Sequence, residues 1–121
     1  MTKYRALIGS MAFVLLFYSI SYASYLAESI SGNDLHKYCI SGNASDVAFC
    51  QGIIVGTYET YDVLTKDQSI KKSICINEVM TVDKLRLLVL KYLRENKDKL
   101  VLPGSNIVIL TLIENYPCAN E

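Results

Sequence analysis

The sequence predicts an all-α fold, a small four-helix domain stapled by two disulfides. Three observations predict it: four segments carry apolar residues at the 3.6-residue period, four cysteines follow an N-terminal apolar run, and 121 residues leave room for one small domain. The composition, 51% apolar and 20% charged, excludes a disordered chain.

Residues 1–23 read as a secretory signal peptide. Lys3 and Arg5 stand without an acid, Ala6–Ile20 is an apolar run, and Ser21-Tyr22-Ala23 places small residues at the −3 and −1 positions of a cleavage site. Cleavage before Ser24 is expected, leaving residues 24–121 as the exported domain. The competing reading of the same run is an uncleaved membrane anchor, since a spanning helix needs about 20 apolar residues. Losing Lys3 and Arg5 leaves ten basic against twelve acidic side chains, a net charge of −2. No basic stripe remains to neutralise a phosphate backbone, so nucleic acid is not an expected partner.

The first expected helix covers about 33–40. Ser31-Gly32-Asn33-Asp34 offers a polar cap, and Leu35, Tyr38 and Cys39 share one face. Ser41-Gly42-Asn43 interrupts the pattern. Asn43 or Ser45 then caps a longer helix, to about Leu64, whose stripe is Val47, Cys50, Ile54, Tyr58 and Tyr61. Within it Gly52 and Gly56 stand four apart, a spacing that strips side chains from one face and is read here as a helix-packing device.

Thr65–Ser73 is a polar connection without periodicity. Thr81 caps a third helix of about 81–95, in which Leu85, Leu88, Val89, Tyr92 and Leu93 follow the helical period. The charged segment Glu95-Asn96-Lys97-Asp98-Lys99 comes next, and Leu100 and Pro103-Gly104 close it. Ser105 is expected to cap the last element. Its β-branched stretch Ile107–Ile113 also suits a buried strand, but the length to Tyr116 favours a helix, which Pro117 stops.

Cys39, Cys50, Cys75 and Cys118 allow three pairings, and the spacing alone does not choose. The expected topology does: Cys39 at the end of one helix lies a short turn from Cys50 in the next, leaving Cys75 to meet Cys118. A zinc site is disfavoured, because no C-x2-C knuckle occurs and His36 is the sole histidine.

Catalytic signatures are missing. No phosphate loop, dinucleotide loop, H-E-x-x-H or G-x-S-x-G occurs, and His36 lies beside a cysteine assigned to a disulfide. Glu59 and Asp62 are three apart, a spacing read here as a solvated helix face. Neither catalytic residues nor cofactors are assigned, and the missing signatures argue for a binding protein.

Phe49-Cys50-Gln51-Gly52-Ile53-Ile54-Val55-Gly56 resembles the F-C-x-G helix, with a second glycine four residues on, of the Rap/Tai immunity family. The similarity continues through Cys75-Ile76, Val79, Thr81, Tyr92-Leu93 and Leu100. It ends in Ile107-Val108, Thr111-Leu112 and Asn115-Tyr116-Pro117-Cys118, which resemble that family's closing aromatic-Pro-Cys helix. There are two departures from the pattern: Asn77 stands where proline is frequent, and Asn96-Lys97 where His-Pro is frequent.

The resemblance implies a periplasmic, disulfide-linked helical protein, a homodimer, that inhibits a cognate type VI secretion amidase acting on peptidoglycan. It also implies that a loop between helices enters the amidase cleft. Glu95–Lys99 is the best candidate for that loop, and Thr65–Ser73 the second. The rival expectation is a periplasmic acid-stress chaperone, also small, helical and disulfide-bonded, that exposes apolar surface when acid neutralises its carboxylates.

Overall fold

The computed structural model describes residues 29–119, so the signal-peptide reading of residues 1–23 falls outside the described residues. Four α-helices form the domain: α1 (Gly32–Ile40), α2 (Ala44–Lys66), α3 (Val82–Glu95) and α4 (Gly104–Asn115), with a 3-10 turn at Lys97–Lys99. Each helix packs against the other three. No strand occurs among the described residues; two isolated antiparallel bridges, Ser31 with Pro103 and Ile74 with Pro117, tie connections together.

Local chemistry sets the helix starts. Ser31 and Asp34 form a capping box: the Asp34 backbone N–H donates to Ser31 Oγ and the Ser31 N–H to Asp34 Oδ2, each at 3.2 Å. That bonding holds the Asp34 carboxyl below its ordinary pKa. Asn43 caps α2 through its side-chain oxygen, which accepts from Ser45 N at 2.8 Å, and Thr81 caps α3 by accepting from Lys84 N. The start of α4 departs from expectation. Pro103, not Ser105, is its N-cap and makes no side-chain bond; the Gly104 N–H donates to Ile30 O at 2.6 Å. Tertiary pairing replaces the local cap.

The core takes one face from every helix: Leu35 and Cys39 from α1, Cys50, Ile54 and Tyr61 from α2, Leu85, Val89 and Leu93 from α3, and Ile107, Val108 and Leu112 from α4. Leu90 is buried as well, outside the expected stripe of α3. Burying each such aliphatic side chain contributes about 1.5–3 kcal/mol. Thr111 is the buried polar residue of α4, and its hydroxyl donates to Ile107 O at 2.8 Å.

Both disulfides pair as the topology predicts, Cys39 with Cys50 and Cys75 with Cys118, so all four cysteines are committed to each other. The first staples the end of α1 to the second turn of α2 in the core. The second joins the connection before α3 to the segment after α4.

One expectation about packing is overturned. Gly52 and Gly56 are exposed, and a Cβ at either meets nothing within 4 Å, so among the described residues no helix approaches them. The long helix turns its other face, with Cys50, Ile54 and Tyr61, toward its neighbours. Close approach occurs instead at Gly32, where a Cβ would stand 2.9 Å from Leu100 O, and only glycine lets α1 meet the α3–α4 connection there.

Candidate functional site

The charged connection from α3 to α4 is a short, braced turn, the tip, with Glu95, Lys97 and Asp98 exposed. Helix α3 ends at Glu95, and Asn96 closes it twice, its backbone N–H and its Nδ2 each donating to Tyr92 O at 2.9 Å. Asn96 therefore ends the helix by bonding back to it. Lys97, Asp98 and Lys99 form the 3-10 turn, with Lys99 N donating to Asn96 O at 3.0 Å. Glu95, Lys97 and Asp98 are exposed, while Asn96 and Lys99 are half-buried.

Lys99 folds back over α3. Its Nζ donates to the Tyr92 hydroxyl at 3.2 Å and lies 5.6 Å from the ring centroid, a cation–π arrangement. The hydrogen bond and the charge interaction with Tyr92 push the Lys99 pKa upward. The base of the tip is fixed to α1, since Asn33 N donates to Leu100 O at 2.9 Å and Gly32 N to Leu102 O at 2.7 Å. The tip is an exposed turn of mixed charge, bonded to both α1 and α3.

The charged segment legible in the sequence stops at Lys99 and misses Val101. That residue is 78% exposed, next to the charges, while Leu100 and Leu102 on either side are partly buried. The apolar triplet Leu100-Val101-Leu102 carries the signal, because in a non-helical segment alternate residues face opposite ways.

The second candidate, Thr65–Ser73, lies elsewhere. Helix α2 extends to Lys66, the chain turns at Gln68 with φ 59°, and Ser69 N and Ile70 N both donate to Leu64 O. Its far end is tied to Tyr61, whose hydroxyl accepts from Ser73 N at 2.6 Å and Ile74 N at 2.9 Å. Burial pushes the Tyr61 pKa up, but the bond with the Ser73 hydroxyl, these two backbone bonds and the Lys72 charge outweigh it and leave the phenol below its ordinary value. The two connections flank opposite ends of α4: Leu102 leads into its start, whereas Cys75 N donates to Tyr116 O just past its end.

Several other charged residues serve structural pairs. Asp62 bonds Lys66 one turn on at 2.6 Å. Arg86 is held by Asp83 and donates from Nη1 to Cys39 O at 2.8 Å, placing a cation at the end of α1. Glu78 accepts from Lys84 Nζ and from the Tyr116 hydroxyl, both at 2.8 Å. The first of these bonds, reinforced by the second, holds the Glu78 carboxyl below its ordinary pKa. Cys39, the neighbour of His36, is locked in a disulfide and is not a nucleophile. Among the described residues no three His, Cys, Asp or Glu side chains gather as a metal would require.

A family model described as Rap1a immunity proteins matches residues 31–118, from the cap of α1 to the last cysteine. The chain belongs to the Rap1a immunity protein family. The matched span takes in all four helices, both disulfides and the braced tip. Comparison with curated proteins and with solved structures returns no match. Membership implies an immunity function against a secreted effector, and with it the binding of that effector. Among the described residues no helix is long and apolar enough to cross a membrane, and the paired cysteines fit an exported protein.

Proposed function

We propose that this protein is exported to the periplasm through cleavage before Ser24, forms a homodimer, and inhibits a cognate type VI secretion peptidoglycan amidase by plugging its active-site cleft. It acts by binding, without catalysis of its own. The observation that carries this reading is the tip at 95–101, a braced turn on a member of an immunity family. Its turn is closed by Asn96, its base is bonded to α1, and its outer face offers Lys97, Asp98 and Val101.

A preformed turn loses little conformational freedom on docking, and inserting it into a concave site excludes substrate. The family's His-Pro pattern is replaced here by Asn96-Lys97, so the tip is also where this chain would differ in its choice of effector.

The test uses the mature, oxidised protein and the candidate amidases of periplasm-directed secretion. One equivalent is expected to abolish peptidoglycan cleavage by one enzyme and leave the others active. Replacing Lys97, Asp98 and Val101 together by alanine is expected to raise Kd at least about tenfold, equal to 1.4 kcal/mol, at an unchanged melting temperature. Unchanged affinity in that variant rejects the tip as the contact, and light scattering at the monomer mass rejects the dimer. Capture of no amidase, together with suppressed aggregation of unrelated proteins at low pH, would instead support the chaperone reading.

A further inference from the structure

The glycine face of α2 is the floor of an open groove of about 660 Å³ between α2 and α4. Ile53, Gly56, Leu64, Ile70 and Ile109 are among the residues that line it, and its lining is mostly apolar. Leu64 and Ile70 remain 38% and 40% exposed.

The place where the chain enters α1 indicates an occupant. Ser31 bridges Pro103 antiparallel, with Gly32 N bonded to Leu102 O and Gly104 N to Ile30 O. In this register the described chain starts beside Gly104, the residue before Ser105, and Ser105 and Ile109 line the groove. Helices α2 and α4 run in the same sense, because Ser105 shares the groove with Gly52 while Cys118 N reaches Ser73 O, close to the Tyr61 hydroxyl.

Length and chemistry agree with that placement. After cleavage before Ser24, six residues precede Ile30, Ser24-Tyr25-Leu26-Ala27-Glu28-Ser29. Extended, they span about 20 Å at 3.3 Å per residue. The groove floor from Gly52 to Leu64 is twelve residues of helix, about 18 Å at 1.5 Å per residue. Tyr25, Leu26 and Ala27 are apolar and fall in the middle of that span, and Glu28 falls near its mouth.

We propose that the N-terminal segment Ser24–Ser29 of the exported protein folds back into the α2–α4 groove, with Tyr25 and Leu26 over the Gly56–Thr60 floor. The two glycines then accommodate an extended strand of the same chain in place of a packed helix. This inference rests on the cleavage before Ser24 included in the proposed function, and the mass of the intact exported protein checks that cleavage separately.

The experiment is NMR of the uniformly labelled exported chain, with limited chymotrypsin digestion alongside. Nuclear Overhauser contacts are expected from the Tyr25 ring or Leu26 methyls to the Hα protons of Gly56 or Thr60. The Tyr25–Leu26 bond is expected to be protected, and Gly56→Leu, which fills the floor, is expected to speed its cleavage at least about tenfold. The wild-type contacts stand as a test even where that variant fails to fold. Absence of these contacts, with cleavage as fast as in the variant, overturns the proposal. So do groove contacts that appear only between differently labelled copies, because a second copy then occupies the groove. A mass showing an intact N-terminus rejects the cleavage reading, while the contacts still decide the docking.

Discussion

Tyr61 does more for the fold than its place in an apolar stripe announces. Its ring is buried on α2, and its hydroxyl accepts the backbone N–H groups of Ser73 and Ile74, two residues of a connection without a helix of its own. Ile74 is itself 2% exposed, so water cannot replace the lost acceptor there. Tyr61→Phe keeps the ring and orphans a buried donor. The expected loss is about 1–3 kcal/mol, read as a lower urea midpoint at an unchanged slope. A midpoint equal to wild type would show that the 69–75 connection finds another anchor. The periodicity places Tyr61 on the buried face correctly, but a pattern of apolar positions contains no information about which distant backbone groups a hydroxyl will meet.

At the scale of elements, the connection between Cys75 and Thr81 is held by a three-way contact: Glu78 accepts from Lys84 on α3 and from Tyr116 at the end of α4. The folded Glu78 pKa is depressed, so its contribution to stability is complete above the pKa of the unfolded chain. That contribution is lost as pH falls through the lower, folded value. Stability of the wild type is therefore expected to fall with acid through and below the ordinary carboxylate range. Glu78→Gln is expected to flatten that part of the profile while leaving the slope above it alone. Urea midpoints measured from neutral pH downward check this, and parallel acid limbs for the two proteins would dismiss Glu78 as a contributor.

The same scale shows what is legible in the sequence. All four helices are, because each combines a 3.6-residue apolar period with punctuation by Ser, Asn, Thr, Pro or Gly, and those are local properties. The start of α4 is not, since Gly104 is satisfied by Ile30, more than seventy positions upstream. The glycine pair misleads for a related reason: Gly52 and Gly56 record where side chains are missing, not whether a helix stands opposite. The tip at 95–99 is recognisable from charge and punctuation. Its bracing by Tyr92 and α1, and the exposed Val101 beside it, need the tertiary structure.

For the molecule as a whole, the two disulfides constrain the chain unequally and are unequally guarded. Cys39–Cys50 closes a separation of 11 residues and Cys75–Cys118 one of 43. Loop-closure entropy alone then assigns about 3 kcal/mol to the first and about 4 kcal/mol to the second. Accessibility runs the other way: Cys39 and Cys50 are fully buried at the α1–α2 junction, whereas Cys75 and Cys118 are partly exposed beside Lys72 and Ala119. An attacking thiolate must reach a sulfur, so limited dithiothreitol followed by alkylation and mass spectrometry is expected to label Cys75 and Cys118 first. Losing the longer tie frees the segment after α4 from the connection before α3, and the singly reduced protein is expected to melt well below the oxidised one. Simultaneous labelling of all four cysteines would mean that opening one bridge unfolds the domain. Labelling of Cys39 and Cys50 first would mean that the α1–α2 junction opens more readily than its burial implies. For the tip proposed as the contact surface, the first order is expected to leave its bracing in place after mild reduction, because the Cys39–Cys50 bridge and the backbone bonds that tie Leu100 and Leu102 to α1 do not involve the bond that breaks.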